Sequence, residues 1–217
     1  VVEVGVASTA GFPWWLCLLL MWSLKEAQDR GVITPEDLAA HITALRGLPN
    51  VLAAALEQND IIRQAAQRLS ESRDVLFLGC GLMFPMALEG ALKLKEISYI
   101  HAEAYASGEL KHGPIALIDK HMPVVVLAPR DVLFDKSVSN MQEVMARKGK
   151  VILVSDASGI DEAKDGVWSS IQMPDIHDSL TPILYAIPAQ LLAYHTAVAK
   201  GTDVDQPRNL AKSVTVE

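Results

Sequence analysis

Apolar and polar residues alternate in two regimes along this chain, and the change falls near Asp74. Before it, the spacing is helical. "VVEVGVAST" reads as a short strand running into a loop. A helix then opens near Pro13, is apolar nearly all round as far as Trp22, turns polar through "SLKEAQDRG" and stops at Gly31. A helix without a polar face is expected to be buried. The next stretch, "TPEDLAAHITALRG", offers Thr34 as N-cap, Pro35 at the first helical position, acidic residues in the first turn and Gly47 as the stop. Two further helices are predicted over 49–57 and 61–70.

After Asp74 the runs become short and β-rich: "VLFLGCG", "MPVVVLAP", "KVILVSD" and "WSSIQMP", with helical stretches between them. Strands alternating with helices imply right-handed crossovers and a parallel sheet covered on both faces. The predicted class is therefore α/β, a three-layer αβα domain preceded by helices. "HAEAYASGELKHGP", bounded by Gly and Pro, reads as a loop. A last helix covers 180–200, with a kink expected at Pro188, and the chain closes on an irregular tail, "TDVDQPRNLAKSVTVE".

Composition narrows the class of function. The 217 residues suffice for one generous domain or for one domain and part of another. Half are hydrophobic and 21% are charged, which excludes a disordered chain. The net charge of −7 argues against nucleic acid as a partner. The two cysteines, Cys17 and Cys80, form no CxxC pair, so reduced thiols and a cytoplasmic location are expected. Residues 4–24 carry no charge, but only "FPWWLCLLLMW" is densely apolar. That is shorter than the ~20 residues a bilayer needs, and Glu3 stands where a signal peptide has positive charge, so neither a membrane span nor a leader is expected.

The candidate chemistry lies in three places. In "EGALKLKEISY", about 100° per residue puts Glu89, Lys93 and Glu96 on one stripe of a helix. On a wet surface this would be an ordinary i,i+4 ion pair. The helix, however, follows the carboxyl end of a parallel strand, where open α/β sheets place their ligands. The "GCG" between them lacks dinucleotide-binding spacing and reads as a tight turn. The second cluster holds His101, Glu103, Glu109, Lys111 and His112, and His112 can serve as an acid or base near neutral pH, or simply as an exposed loop histidine. The third candidate is Lys212 in the tail, which by itself would be an ordinary solvated lysine.

"ALEGALKLKEISYIHAEAYASGELKHGP" and "KGTDVDQPRNLAKSVTVE" together resemble the sugar isomerase (SIS) half of the glutamine-dependent fructose-6-phosphate aminotransferases. The resemblance spans essentially the whole chain. It implies four segments: 1–25 as the end of a first SIS domain, 26–65 as connecting helices, 66–204 as a second SIS domain, and 205–217 as a catalytic tail. It also implies a reaction, fructose 6-phosphate plus ammonia giving glucosamine 6-phosphate. Glu96 would move a proton between C1 and C2, with Lys93 and Glu89 beside it, and Lys212 would form a Schiff base with the sugar. His112 would assist ring opening from the neighbouring subunit of a homodimer. Val6, Ser8 and the backbone at Ala211 would line the sugar pocket. No cofactor or metal is implied.

The chain also departs from that pattern. The phosphate-binding Ser/Thr loop of the first SIS domain and the glutaminase domain with its nucleophilic cysteine are not in it, so both are expected as partners in cis or in trans, and the fragment alone is expected to be inactive. "AGFPWWLCLLLMW" replaces a polar helix start, and Cys80 stands where the family more often has Arg. The competing expectation is a phosphosugar-binding SIS module without catalysis, for which a base and a Schiff-base lysine would be superfluous.

Overall fold

A computed structural model describes residues 5–211. Lys212, one of the expected catalytic residues, lies outside the described residues. Three helices come first: α1 (Gly11–Asp29), α2 (Pro35–Leu56) and α3 (Asn59–Leu69). The α/β part follows as β1 (Asp74–Gly79), α4 (Met83–Ser98), β2 (His101–Ala106), β3 (Pro123–Leu127), α5 (Phe134–Ala146), β4 (Lys150–Asp156), α6 (Ala157–Ala163), β5 (Ser169–Met173) and α7 (Thr181–Lys200). The five strands form a parallel sheet in the order β2-β1-β3-β4-β5.

Strand periodicity divides the core into two layers. Val75 and Phe77 of β1 point to one face with Val125, Leu127, Ile152 and Val154, where α3, α4 and α7 cover them. Leu76 and Leu78 point to the other face with Val124, Val126, Val151 and Leu153, under α5 and α6. Both faces of the central strands are buried, so those strands are continuously apolar rather than alternating. The result is the three-layer αβα domain expected from the sequence.

Three local expectations are corrected. The stretch 101–106, read as loop, is the edge strand β2, paired along its whole length with β1. Its composition is Ala-, His- and Glu-rich because an edge strand buries little, and only Ala102 is fully enclosed. Gly47 does not end a helix. α2 runs on through it and through Pro49, because Leu48, Leu52 and Ala55 carry its apolar stripe onward against Leu180, Ile183 and the α7 side of the core. Packing overrides the breaker residues here.

The apolar helix α1 is the third correction. Leu16, Cys17 and Leu20 pack onto α2 and α7, but Trp14, Trp15 and Trp22 are each about two-thirds exposed, at 67%, 64% and 69%. With apolar residues on every side, burial of one face leaves the other open. None of the helices among the described residues is long and apolar enough to cross a membrane.

Candidate active site

The turn from β1 into α4 sets the start of the site. A Cβ on Gly79 would stand 2.3 Å from the Met83 carbonyl oxygen, and Gly81 has φ +51°, so both positions demand glycine. The helix is thereby held close against the strand end, as expected for the "GCG" turn. Two turns into the helix α4 is pressed against the sheet and α7 together. A Cβ on Gly90 would meet Phe77 at 2.8 Å and Ala189 at 3.0 Å.

This close packing buries the stripe predicted from spacing. Lys93 Nζ lies 2.7 Å from Glu96 Oε2, to which it donates a hydrogen bond, and 3.9 Å from Glu89 Oε1. The Glu89 and Lys93 side chains are 8% and 6% exposed, whereas Glu96 is 22% exposed. The arrangement is not a wet-surface ion pair. Two carboxylates share one mostly buried ammonium, and the carboxylate bonded most tightly to the lysine is also the more exposed of the two. Glu89 Oε1 is buried without a hydrogen-bond partner. Burial pushes the Glu89 carboxyl above its ordinary pKa, against the opposing pull of Lys93 and of the polar Gln190 side chain.

Two segments close over the carboxyl-terminal half of α4. The tail after α7 folds back: the Thr202 hydroxyl donates to the Ile97 carbonyl at 2.6 Å, and the Arg208 N–H donates to the Tyr99 hydroxyl at 2.8 Å while its guanidinium stacks on the Tyr99 ring at 4.2 Å. That contact accompanies the left-handed backbone of Tyr99, φ 62°, where α4 ends without glycine. The amino-terminal segment comes to meet the tail, with the Val6 N–H donating to the Asp205 carbonyl at 2.9 Å. It also meets α7, where the Gln190 side-chain amide donates to the Thr9 carbonyl at 3.0 Å. Val6 and Ser8 thus lie on a segment tied to the tail and to α7. Ala211 is the last described residue of that tail, and it is exposed.

His112 is placed differently. It sits at the end of a 3-10 turn, Ser107–His112, with its ring 72% exposed and Nδ1 2.8 Å from Glu109 Oε2. Neighbouring Lys111 pairs with Glu143 of α5 at 2.9 Å. Among the described residues no hydrogen bond or ion pair joins His112 to the Glu89–Lys93–Glu96 stripe. His101 and Glu103 belong to β2 and lie at the opposite end of that strand, where His101 Nδ1 is 2.8 Å from Asp74 Oδ1. Among the described residues no three His, Cys, Asp or Glu side chains converge as metal ligands.

Sequence reasoning missed Gln190 and the Tyr99–Arg208 clasp. For Gln190 a signal was there: it is a lone amide in the apolar run "ILYAIPAQLLAY". Such a residue inside a buried helix needs a polar partner. For Tyr99 there was no local signal, because the contact spans 109 residues of sequence.

Comparison with known proteins gives a consistent picture. Residues 68–200 match the SIS domain family. The glutamine–fructose-6-phosphate aminotransferase (isomerizing) of Zymomonas mobilis is 56% identical over 215 residues, and one from Bradyrhizobium diazoefficiens is 57% identical over 215 residues. Each alignment covers 99% of this chain but 35% of the relative, so the chain spans about a third of the length of these relatives. Among solved structures, the C-terminal domain of glucosamine-fructose-6-phosphate aminotransferase from Francisella tularensis superposes with a TM-score of 0.91 at 46% identity, over 95% of this chain and 58% of that one. A glucosamine-6-phosphate deaminase from Thermotoga maritima superposes with a TM-score of 0.73 at 25% identity, over 100% of this chain and 60% of that one.

Proposed function

The chain belongs to the SIS domain family, and from that premise we propose that it is the isomerising portion of a glutamine-dependent fructose-6-phosphate aminotransferase. It acts on fructose 6-phosphate and ammonia and yields glucosamine 6-phosphate. The observation that carries this reading is the buried Glu89–Lys93–Glu96 stripe, with Glu96 its most accessible carboxylate. The names borne by relatives more than half identical to this chain support it.

In the proposed mechanism, His112 of a neighbouring subunit helps open the sugar ring, consistent with its exposure and with the Glu109 carboxylate held at Nδ1. The Lys212 amine condenses with the C2 carbonyl and expels water. The resulting iminium is a better electrophile than the ketone, so ammonia adds to C2 and displaces the lysine. Glu96 then takes a proton from C1, the electron pair moving towards the C2 nitrogen, and returns it to C2 to leave an aldehyde at C1. One carboxylate suffices because both carbons present the proton on the same face. Lys93 holds Glu96 in place and balances its charge. Val6, Ser8 and the backbone at Ala211 border the sugar.

The phosphate-binding loop and the source of ammonia are supplied by the first SIS domain and the glutaminase domain, and the working assembly is a homodimer. The test is covalent trapping. With the remaining portion of an aminotransferase relative joined ahead of this chain, borohydride added in the presence of fructose 6-phosphate should fix the sugar on Lys212. An adduct that maps elsewhere, or that persists in Lys212→Ala, rejects this reading.

A further inference from the structure

A cleft of about 990 Å³ opens at the amino-terminal edge of the sheet. Asp74 begins β1 and Lys150 begins β4, while Met122 and Trp168 directly precede β3 and β5. In a parallel sheet these starts fall on one edge, and all four residues line the cleft beside the last turns of α3. None of Glu89, Lys93 and Glu96 lines it, so it is separate from the candidate active site.

The charge of the cleft is organised about one ring. The Arg68 guanidinium carbon lies 5.5 Å and Lys150 Nζ 5.0 Å from the centre of the Trp168 indole, and Arg68 Nη1 also donates to the Trp168 carbonyl at 3.0 Å. A third cation, Arg73, lines the same cleft. Among the described residues no carboxylate pairs with any of the three. The carboxylates at the rim have other partners or face water. Asp74 Oδ1 is 2.8 Å from His101 Nδ1, Asp119 Oδ1 accepts the His121 backbone N–H at 2.7 Å, and Glu71 is exposed. A helix carboxyl end favours one nearby cation, and Arg68 in the last turn of α3 is so placed. That leaves Lys150, which is half-buried, and Arg73 without a reason of their own. Three like charges about one cleft repel one another, and a bound anion relieves the repulsion.

We propose that this cleft is a phosphate site, which takes the phosphate group of a small phosphorylated molecule, or inorganic phosphate, among Arg68, Arg73 and Lys150. The indole holds the Arg68 and Lys150 heads before anything binds, so less side-chain freedom is lost on binding. With Nη1 on the Trp168 carbonyl, the remaining N–H groups of the Arg68 fork are available to an oxygen. Phosphate can accept several charge-assisted bonds at once, one from each cation. The cleft is larger than phosphate alone needs, and Gln64 and Gln67 offer amides to the polar body of an ester. This site does not depend on the reaction proposed above.

The experiment titrates the 217-residue chain with inorganic phosphate, with glucose 6-phosphate and with glucose, all at one ionic strength. The Trp168 indole N–H is followed by NMR and assigned by its loss in Trp168→Phe. Inorganic phosphate and glucose 6-phosphate should each shift that signal saturably, with glucose leaving it in place. Tighter binding of glucose 6-phosphate identifies a phosphorylated molecule as the ligand, and equal binding identifies free phosphate. Lys150→Gln and Arg68→Gln, each made alone, should raise the dissociation constant about tenfold through the loss of one charge-assisted bond. Arg73→Gln, at an exposed position, provides a third variant should either of the others fail to fold, folding being read from the amide signals of β1 and β3. Absence of a saturable shift at Trp168, or an affinity unchanged in whichever of these variants folds, overturns the proposal. Failure to trap the sugar on Lys212 would reject the proposed reaction and leave phosphate binding at Trp168 unaffected.

Discussion

Glu89 and Glu96 show how two carboxylates on one stripe are given different work by their surroundings. Glu89 is enclosed, with an oxygen lacking a hydrogen-bond partner, and burial lifts its pKa. Its folded form therefore holds a proton more tightly than its unfolded form. The stability tied to that proton is fully present below the unfolded pKa and is lost as pH rises through the folded one. Glu89→Gln should remove this limb, and Lys93 keeps Glu96 as its partner at 2.7 Å. The difference in melting temperature, variant minus parent, should thus grow in favour of the variant as pH rises from 4 to 8. A difference that stays flat across that range would mean that the Glu89 carboxyl titrates alike in the folded and unfolded chain. Glu96, with its opening to solvent, is the group expected to meet substrate. In the joined enzyme Glu96→Gln should cost ~10² or more in sugar isomerisation while glutamine hydrolysis continues, and an equal loss of both activities would point to misfolding instead. The spacing of this stripe could be read from the sequence because it is local to one helix. Its burial could not, because α7, about a hundred residues further along the chain, packs closely against α4.

Among the elements, those that bury a regular stripe were legible and those governed by distant partners were not. The three central strands, β1, β3 and β4, declare themselves as continuous apolar runs. β2 does not, since an edge strand held by β1 alone needs little apolar surface. α2 misleads for the opposite reason: it contains Gly47 and Pro49, two strong local stop signals, and continues through both because Leu48 and Ala55 are buried beyond the break. The continuation is held against its own sequence, at a cost that substitution should reveal. Pro49 has no N–H to give the carbonyl one turn back, and its side chain is exposed. Pro49→Ala should therefore raise stability by about 1 kcal/mol or more, seen as a higher urea midpoint at an unchanged slope. A lower midpoint would show that the proline fixes a bend on which the α2–α7 contact depends.

At the scale of the whole molecule, the α/β part has its core closed on both faces, whereas the helices ahead of it do not. α1 contributes Leu16 and Leu20 to the contact with α2 and α7, and it leaves Trp14, Trp15, Leu18, Leu19, Met21 and Trp22 facing outward. A contiguous patch of this kind, much of it indole, exceeds what a freely soluble surface ordinarily carries. An apolar groove of about 580 Å³ beside it is lined by Pro13, Trp14, Trp15, Leu18, Leu48 and Leu52, so the patch has relief into which another apolar surface can fit. The curated relatives carry nearly two-thirds of their length beyond what this chain spans.

Two consequences can be separated by experiment. The chain alone should associate through α1 at micromolar concentration, visible as a sedimentation coefficient that rises with loading. Replacing Trp14, Trp15 and Trp22 together by Gln should abolish that rise without lowering the melting temperature, because the three side chains are already mostly in water. Association that survives the triple substitution would place the contact on another face. The chain alone, given fructose 6-phosphate and ammonium, should also form no glucosamine 6-phosphate. The base role proposed for Glu96 requires a sugar held in register, and the resemblance assigns the phosphate anchor that does so to the first SIS domain. Adding that upstream portion should restore product and displace self-association at once if it covers the α1 face. Restored product with self-association unchanged would mean that the upstream domain anchors the substrate without touching α1. Turnover by the chain alone, at a rate near that of the reconstituted mixture, would show that the phosphate anchor lies within these 217 residues.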